Sequence, residues 1–278
     1  MAEHVLPPDS ALAPLPPGRT LRLRRGALEV EIAPDAGGRI AQIRMDGGEW
    51  LVGPEDGWPG AIAWGCYPMV PWAGRVRAGR FEFAGIRHQL PSNLGRHAIH
   101  GIGFVLPWQV VSCTQDSAEL RLPLPCDNRW PFGGVARHRI VLADSSLHLT
   151  LEIQAGHVSM PVVLGWHPWF RKPARLQFSP GAMYPRDAEG IALRPTVAPA
   201  PGPWDDCFIS HDGAALERDG YLLRMISDCT HWVVYDGTAH AICVEPQTGP
   251  PDAYNLGPDV LHPGQRMRVR LALEWERA

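Results

Sequence analysis

The chain has 278 residues, 45% of them hydrophobic and 20% charged, and its formal net charge is −3 at pH 7. The apolar content suffices for a core, and the lack of a basic excess argues against a protein that binds nucleic acid. The longest uncharged stretch, residues 57–74, is interrupted by glycine and proline, so it does not suit a membrane span of roughly 20 apolar residues, and we expect no membrane partner.

The cysteines and the start of the chain bear on the compartment. Six cysteines are scattered without a C-x-x-C pair, which indicates neither a disulfide framework nor a zinc site. The first residues lack the basic and apolar regions of a secretion signal. We therefore predict reduced thiols in a cytoplasmic protein. Residues 1–18 are rich in proline, and we expect a flexible segment there.

Beyond this segment, short stretches alternate apolar and polar residues with period two, which is typical of strands with one buried face. In chain order these stretches are residues 27–34, 38–46, 118–124, 137–144, 147–154, 221–227 and 267–276. Glycine and proline, 29 of each, supply turn signals between them. The pattern predicts an all-β sandwich or barrel, and no internal linker divides it, so we expect one domain over residues 1–278.

The first candidate functional stretch is "YPMVPWAGRVRAGRF", residues 67–81, and the second is "GRHAIHGIGF", residues 95–104. Aromatic surface with an interleaved arginine, Arg75, suits a sugar, although Arg75 would be solvated if the loop merely packed on the sheet. His97 and His100 could be metal ligands on a helix, but the flanking glycines argue against a helix. Each histidine could equally be structural.

The third stretch is "GWHPWF", residues 165–170, in which an apolar run ends on His167. Pro168 cannot donate to a strand ladder, so the strand ends or bulges there. Aromatic neighbours such as Trp169 would disfavour the charged imidazole, whereas a nearby carboxylate would favour it. A core histidine without function is the alternative.

Two carboxylate stretches follow, "PGPWDDCFIS" and "AICVEPQTGPPDAYN". Asp205 accepts hydrogen bonds only, which suits sugar hydroxyls, although aspartates in turns usually cap their own backbone. Glu245 and Gln247 share one face of a period-two strand. If that face lines a cavity, Glu245 points into it beside Gln247; otherwise the glutamate is paired or solvated.

Other catalytic signatures are missing from the sequence: there is no phosphate-binding glycine loop, no H-E-x-x-H and no G-x-S-x-G. Taken in order, however, "YPMVPWAGRVRAGRFEF", "HAIHGIGF", "RWPF", "GWHPWF", "DDCF" and "EPQTGPPDAYN" resemble the aldose 1-epimerase (galactose mutarotase-like) family. The resemblance spans roughly residues 28–276. It implies a large antiparallel β-sandwich, the galactose mutarotase-like supersandwich, with an open sugar-binding cleft.

The resemblance also implies an activity: an isomerase that interconverts the α and β anomers of an aldohexose, without cofactor or metal. Glu245 falls on the family's base and His167 on its general acid. The resemblance implies that Arg75, His100 and Asp205 bind the substrate. Gln247 lies two residues after the base and Trp169 two residues after the general acid, and we expect both to contact the substrate as well. The expected partner is a monosaccharide, and the chain would be a monomer or a homodimer.

Two positions depart from the family pattern. Gly74 stands where the family usually has an asparagine, and Trp169 where it often has a tyrosine. Three alternatives therefore stay open. The first is an epimerase-like enzyme for another or a phosphorylated sugar, and Arg75, Arg77 and Arg80 could supply the cations for a phosphate. The second is a non-catalytic sugar-binding protein of the same fold. The third is a glycosidase that pairs Glu245 with Asp205.

Overall fold

The computed structural model describes Pro7 and residues 9–278, and almost all of its regular structure is β-strand. The first strands, numbered in chain order, are β1 (Leu21–Arg25), β2 (Leu28–Ala33), β3 (Arg39–Met45), β4 (Gly48–Glu49), β5 (Cys66–Met69), β6 (Arg75–Val76), β7 (Arg80–Phe83), β8 (Ile86–Gln89), β9 (Ala98–Ile99), β10 (Gln109–Cys113), β11 (Ser117–Pro123) and β12 (Val135–Leu142). The remaining strands are β13 (Ser146–Gln154), β14 (Met160–Val162), β15 (Gly165–Arg171), β16 (Arg175–Gln177), β17 (Ala182–Tyr184), β18 (Asp205–Ile209), β19 (Ala214–Arg218), β20 (Tyr221–Ser227), β21 (His231–Tyr235), β22 (Ala241–Gln247), β23 (Asp259–Leu261) and β24 (Arg266–Arg277). One short helix, α1, covers Ala253–Leu256, and two 3₁₀ turns cover Ser10–Leu12 and Arg77–Gly79.

Two large antiparallel sheets dominate the architecture. A ten-stranded sheet has the order β1-β2-β3-β5-β15-β22-β21-β18-β17, with β4 attached to β3, and an eight-stranded sheet has the order β10-β11-β12-β13-β24-β20-β19-β16. Three two-stranded ribbons, β6-β9, β7-β8 and β14-β23, complete the pairing. The predicted all-β fold with a large antiparallel sandwich is confirmed. Every predicted stretch of alternating residues is a strand with the expected bounds to within a few residues.

Alternation explains how the two sheets pack. In β13, Leu147, Leu149, Leu151 and Ile153 are buried, while His148 is exposed and Thr150 half-buried. Residues with this period lie on opposite faces of the sheet, so one face of the eight-stranded sheet is apolar. The ten-stranded sheet covers that face, and Trp166 reaches across to the other sheet. The hydrophobic core as a whole contains the fully buried indoles of Trp64, Trp130, Trp166 and Trp232.

The segment around Ala11 contacts the rest of the domain at two loops. Ala11 is 1% exposed, its N–H donates to the carbonyl of Asn93, and its own carbonyl accepts from the N–H of Ile62. These contacts hold the described part of residues 1–18 against the sandwich. Residues 1–6 and 8, to which the prediction of a flexible segment also applied, lie outside the described residues.

Two further observations concern the thiols and the helices. The six cysteines, all within the described residues, are free thiols. None of the helices in the described part of the chain has the length and apolar character needed to cross a membrane.

Candidate active site

A cavity of about 280 Å³ lies on the face of the ten-stranded sheet that points away from the eight-stranded sheet. Its orientation follows from two neighbouring residues of β15. The indole N–H of Trp166 donates to Nε2 of His138, on β12 of the other sheet, at 3.1 Å. Because neighbouring strand residues point to opposite faces, His167 points away from the core, and it lines the cavity.

The floor of the cavity is a row of side chains that face one another across adjacent strands. His167 lies directly across from Tyr67 on β5, and the register between β15 and β22 puts it across from Glu245. The row continues over β21, β18 and β17 with Val233, Cys207 and Tyr184. Residues that are far apart in sequence therefore meet because the strand order brings them side by side.

His167 and Glu245 are in contact, with 3.2 Å between Nε2 and Oε1, and their side chains are only 6% and 4% exposed. Burial lowers the pKa of His167 to about 3. Burial, and then the nearby Asp205, raise the pKa of Glu245 well above its usual value. The sequence suggested that the carboxylate would raise the pKa of His167, but desolvation of the imidazole outweighs that attraction. Burial thus shifts both groups toward their neutral forms, the imidazole by lowering its pKa and the carboxyl by raising its pKa.

Aromatic rings fix the orientation of the His167 imidazole. It stacks on Tyr67 with ring centroids 4.7 Å apart and on Trp169 with centroids 5.5 Å apart. Trp169 is itself held by its indole N–H, which donates to the carbonyl of Ile62 at 2.6 Å. His100 meets the same imidazole edge-on at 4.8 Å. Such contacts restrict ring rotation, so Nε2 of His167 keeps its direction toward Glu245.

His100 lies in a strained turn above this floor. Its backbone has φ +59, a left-handed conformation that costs a non-glycine residue roughly 1–2 kcal/mol. Gly101 follows at φ +75, and an added Cβ there would lie 1.9 Å from the carbonyl oxygen of Val70. The glycine therefore allows the two backbone segments to approach each other closely. The buried Nδ1 of His100 has no hydrogen-bond partner among the described residues. Burial, then His167 and Arg75, lower its pKa.

Arg75 reaches the cavity from the first residue of β6. Among the described residues its guanidinium has no ion pair. Gly190 packs against it: a Cβ there would lie 3.1 Å from Nη1 of Arg75. Gly74, just before it, has φ +65, and its added Cβ would lie 2.9 Å from Cα of Pro251. The position where the family usually has an asparagine therefore has no room for a side chain.

Two aspartates and an arginine form the polar side of the cavity. Arg186 binds both carboxylates, with Nη1 3.0 Å from Asp205 and Nε 3.0 Å from Asp206. Burial raises the pKa of Asp205. The sequence prediction included Asp205 but missed Arg186, because the loop "YPRDAEG" that contains it carries no recognisable motif. Only the pairing of β17 with β18 brings it to the site.

Several candidate residues lie outside the cavity lining. Arg77 pairs with Asp187 at 2.6 Å and with Glu189 at 3.2 Å, so it anchors the loop that carries Arg186. Arg80 donates to Gln89. His97 accepts from the N–H of Ala78 at 3.2 Å, which is a structural role.

Gln247 shares a face of β22 with Glu245 but is fully buried outside the lining of the cavity. Its amide donates to the carbonyl of Gly249 at 2.8 Å. We therefore expect it to support the turn after β22.

A metal ion has one candidate position among the described residues. His167, Cys243 and Glu245 offer ligand atoms within 4.8 Å of one another. Zinc binds a deprotonated thiol, and burial raises the pKa of Cys243 well above its usual value. The donor set therefore fits a metal poorly.

Comparisons with known proteins agree with this architecture. The model of the family described as "Aldose 1-epimerase" matches residues 19–196, a range that contains Arg75, His100 and His167. The uncharacterized protein YphB of Escherichia coli K12 is 36% identical over 112 residues, which are 38% of this chain and 36% of YphB. The chain thus matches about a third of that relative's length.

Two solved structures share the fold. A galactose mutarotase-like protein from Clostridium acetobutylicum superimposes with a TM-score of 0.84 at 18% identity, over 93% of this chain and 95% of the other. Galactose 1-epimerase from Lactobacillus acidophilus NCFM superimposes with a TM-score of 0.80 at 21% identity, over 93% and 94%. At these sequence identities the similarity establishes a common fold.

Proposed function

Because this chain belongs to the aldose 1-epimerase family, we propose that it is a mutarotase that interconverts the α and β anomers of an aldohexose. The observation that carries the proposal is the buried contact of 3.2 Å between His167 and Glu245 on the floor of a cavity of sugar size. The similarity in fold to a galactose 1-epimerase is consistent with it.

The reaction needs one proton removed from the C1 hydroxyl and one delivered to the ring oxygen. In our proposal the Glu245 carboxylate takes the first and the protonated His167 gives the second, so the C1–ring oxygen bond breaks and an open-chain aldehyde forms. Rotation about the C1–C2 bond and the reverse transfers give the other anomer. Atoms and charge balance, because the pair returns to its starting state.

The free pair suits this cycle. Burial favours a protonated carboxyl beside a neutral imidazole, whereas the reaction starts from a carboxylate and an imidazolium. These two forms differ only by moving one proton across the 3.2 Å contact. The positive charge of Arg75 opposes the upward shift in the pKa of Glu245, so it favours the reactive form.

The remaining lining would position the sugar. Asp205 offers acceptors and Arg186 offers donors at one side, which suits a pair of neighbouring hydroxyls. A hydroxyl near His100 would supply the partner that its Nδ1 lacks. The indole of Trp169 would cover an apolar sugar face. These contacts would supply the positioning part of catalysis.

The charges of the cavity favour a free over a phosphorylated sugar. Of the three arginines that the sequence offered for a phosphate, only Arg75 lines the cavity, and Arg77 and Arg80 are paired elsewhere. The other lining arginine, Arg186, is engaged by two aspartates.

The test is the rate of anomerisation of freshly dissolved α-D-glucose and α-D-galactose, followed by polarimetry. Glu245→Gln should lower kcat/KM by about 10²- to 10⁴-fold, with the free energy of unfolding maintained. Glu276→Gln, an exposed glutamate of β24, serves as the matched control. Unchanged turnover in the Glu245 variant would refute the assigned base. Sugar binding by calorimetry without anomerisation by the wild type would favour a binding protein.

A further inference from the structure

The outer face of the eight-stranded sheet carries a cluster of arginines that the proposed reaction does not use. Three adjacent strands, β12, β13 and β24, place six polar side chains there in two cross-strand rows. We call them the basic block, and its rows are Arg139, Thr150 and Arg270, and Arg137, Glu152 and Arg268. They line a concave region of about 540 Å³.

Charges in the basic block are only partly compensated. Glu152, with its side chain 7% exposed, accepts from Arg268 through Nε at 2.9 Å and Nη2 at 2.6 Å. Nη1 of Arg137 is buried and has no hydrogen-bond partner in the described part of the chain. The guanidinium groups of Arg139 and Arg270 make no ion pair with any described residue. Three of the four arginines therefore retain free donors.

Four further charged residues flank the block, two of them positive and two negative. Arg121 and Glu119 on β11 lie across from Arg137 and Arg139, and the carboxylate of Asp228 accepts from the backbone N–H of Arg270 at 2.7 Å. Arg266 lies 3.5 Å from Glu152, and Glu119 lies 3.8 Å from Nε of Arg137. Neither contact is made to Nη1 of Arg137, and although Glu119 lies across from Arg139, the two make no ion pair among the described residues. The local excess of positive charge thus stands on a chain whose net charge is −3.

Strand spacing decides what this arrangement can hold. Adjacent strands are about 4.8 Å apart, so the backbones of Arg139 and Arg270 are roughly 10 Å apart on either side of Thr150. Two arginine side chains can span that distance and meet above the threonine hydroxyl. A planar guanidinium matches the oxygens of a phosphate in pairs, and the hydroxyl adds a third donor.

We propose that the basic block binds a dianionic phosphate group carried by a small metabolite. The negative charge of the rest of the chain would repel a long polyanion such as a nucleic acid. The concave region is also limited in size, which favours a small ligand. The block faces away from the core on the opposite side of the sandwich from the sugar cavity, so its ligand would not compete with the sugar.

The experiment is a calorimetric titration of the full chain with inorganic phosphate and with methyl phosphate, at constant ionic strength set with sodium chloride. The wild type should bind both. Arg139→Met combined with Arg270→Met should weaken binding at least about tenfold, because charge-assisted hydrogen bonds are lost on both sides. Arg224→Met is the matched control, since Arg224 lies on the same sheet in an exposed pair with Glu276, and it should bind like the wild type.

Three outcomes would overturn the proposal. One is a wild type that responds to phosphate no more than to chloride. Another is undiminished binding by the double variant, which would locate the phosphate elsewhere. The third is binding of inorganic phosphate with rejection of methyl phosphate, which would exclude a phosphate monoester. If the methionine pair unfolds at a lower denaturant concentration than the wild type, Arg139→Gln with Arg270→Gln keeps the comparison valid.

Discussion

Gly74 shows how a single residue can depart from a family pattern for a physical reason. It begins the turn that directs Arg75 into the cavity, and its carbonyl accepts from the N–H of His100 at 3.0 Å. Its φ of +65 and the approach of Pro251 leave no space for a side chain. Backbone packing therefore occupies the space that a side chain at this position would need.

Restoring the asparagine should therefore harm the protein. Gly74→Asn forces a Cβ to within 2.9 Å of Cα of Pro251, and overpacking of this kind costs typically about 1–3 kcal/mol. Gly95→Asn is the control, since Gly95 has φ +54 and nothing within 4 Å, and asparagine tolerates this conformation. Urea unfolding should show a lower free energy of unfolding for the Gly74 variant. Equal values would mean that Pro251 moves away without cost.

Sequence motifs identified those site residues that stand beside unusual neighbours. His167 and Glu245 end apolar runs and are followed by proline, and Asp205 lies in a "DDCF" motif. Tyr184 and Arg186 line the same cavity but stand in ordinary loop and strand sequence. Nothing local distinguishes them, because their role depends on the pairing of β17 with β18. The roles of all these residues in catalysis stay predictions.

At the level of elements, the alternating strands were predictable and the strands of the site were less so. β13 and β24 bury one face and expose the other, and this gives period two. By contrast, β15 is buried at six of its seven positions and β22 at all seven. A strand covered on both faces loses the alternation, and its register with a strand some 78 residues away is not encoded in any short motif.

The loop between β17 and β18 offers a test of how an element supports the site. Gly190 has φ +73, and a Cβ there would lie 3.1 Å from Nη1 of Arg75. Gly190→Ala should displace this guanidinium and raise KM for the sugar on the order of tenfold, since small displacements of positioning groups have large effects. The measurement is a polarimetric rate series over sugar concentration.

Gly220→Ala is the matched control for this variant. Gly220 has φ +76 and nothing within 4 Å, so it carries the same backbone cost of roughly 1–2 kcal/mol without touching Arg75. Its KM should equal that of the wild type. A similar KM in both variants would show that Arg75 accommodates the methyl group and that the loop does not position it.

On the scale of the whole molecule, the sandwich separates two surfaces with different chemistry. The ten-stranded sheet presents the cavity proposed to bind a sugar on one outer face, and the eight-stranded sheet presents the basic block on the other. The two sheets meet at a polar contact inside the core, where Nδ1 of His138 faces the carbonyl of Gly38 at 3.2 Å and Nε2 faces the indole N–H of Trp166 at 3.1 Å. The imidazole must be neutral to accept from Trp166 and donate to Gly38 at once.

This contact should make the fold sensitive to acid. Burial lowers the pKa of His138 to about 4, whereas in the unfolded chain it is about 6.5. Between these values the unfolded state binds more protons, so stability is fully present above pH ~6.5 and is lost as the pH falls toward 4. The expected loss is on the order of 3 kcal/mol.

His138→Gln cannot become charged and should lack this part of the pH dependence, whereas His148→Gln, at an exposed position on β13, should retain it. Urea unfolding between pH 4 and 7 gives the free energy of unfolding of the wild type and both variants. Because His100 and His167 titrate equally in each protein, the difference between the two variants isolates the contribution of the core contact. A parallel decline in the His138 variant would mean that the acid sensitivity comes from other groups than the imidazole that joins the two sheets.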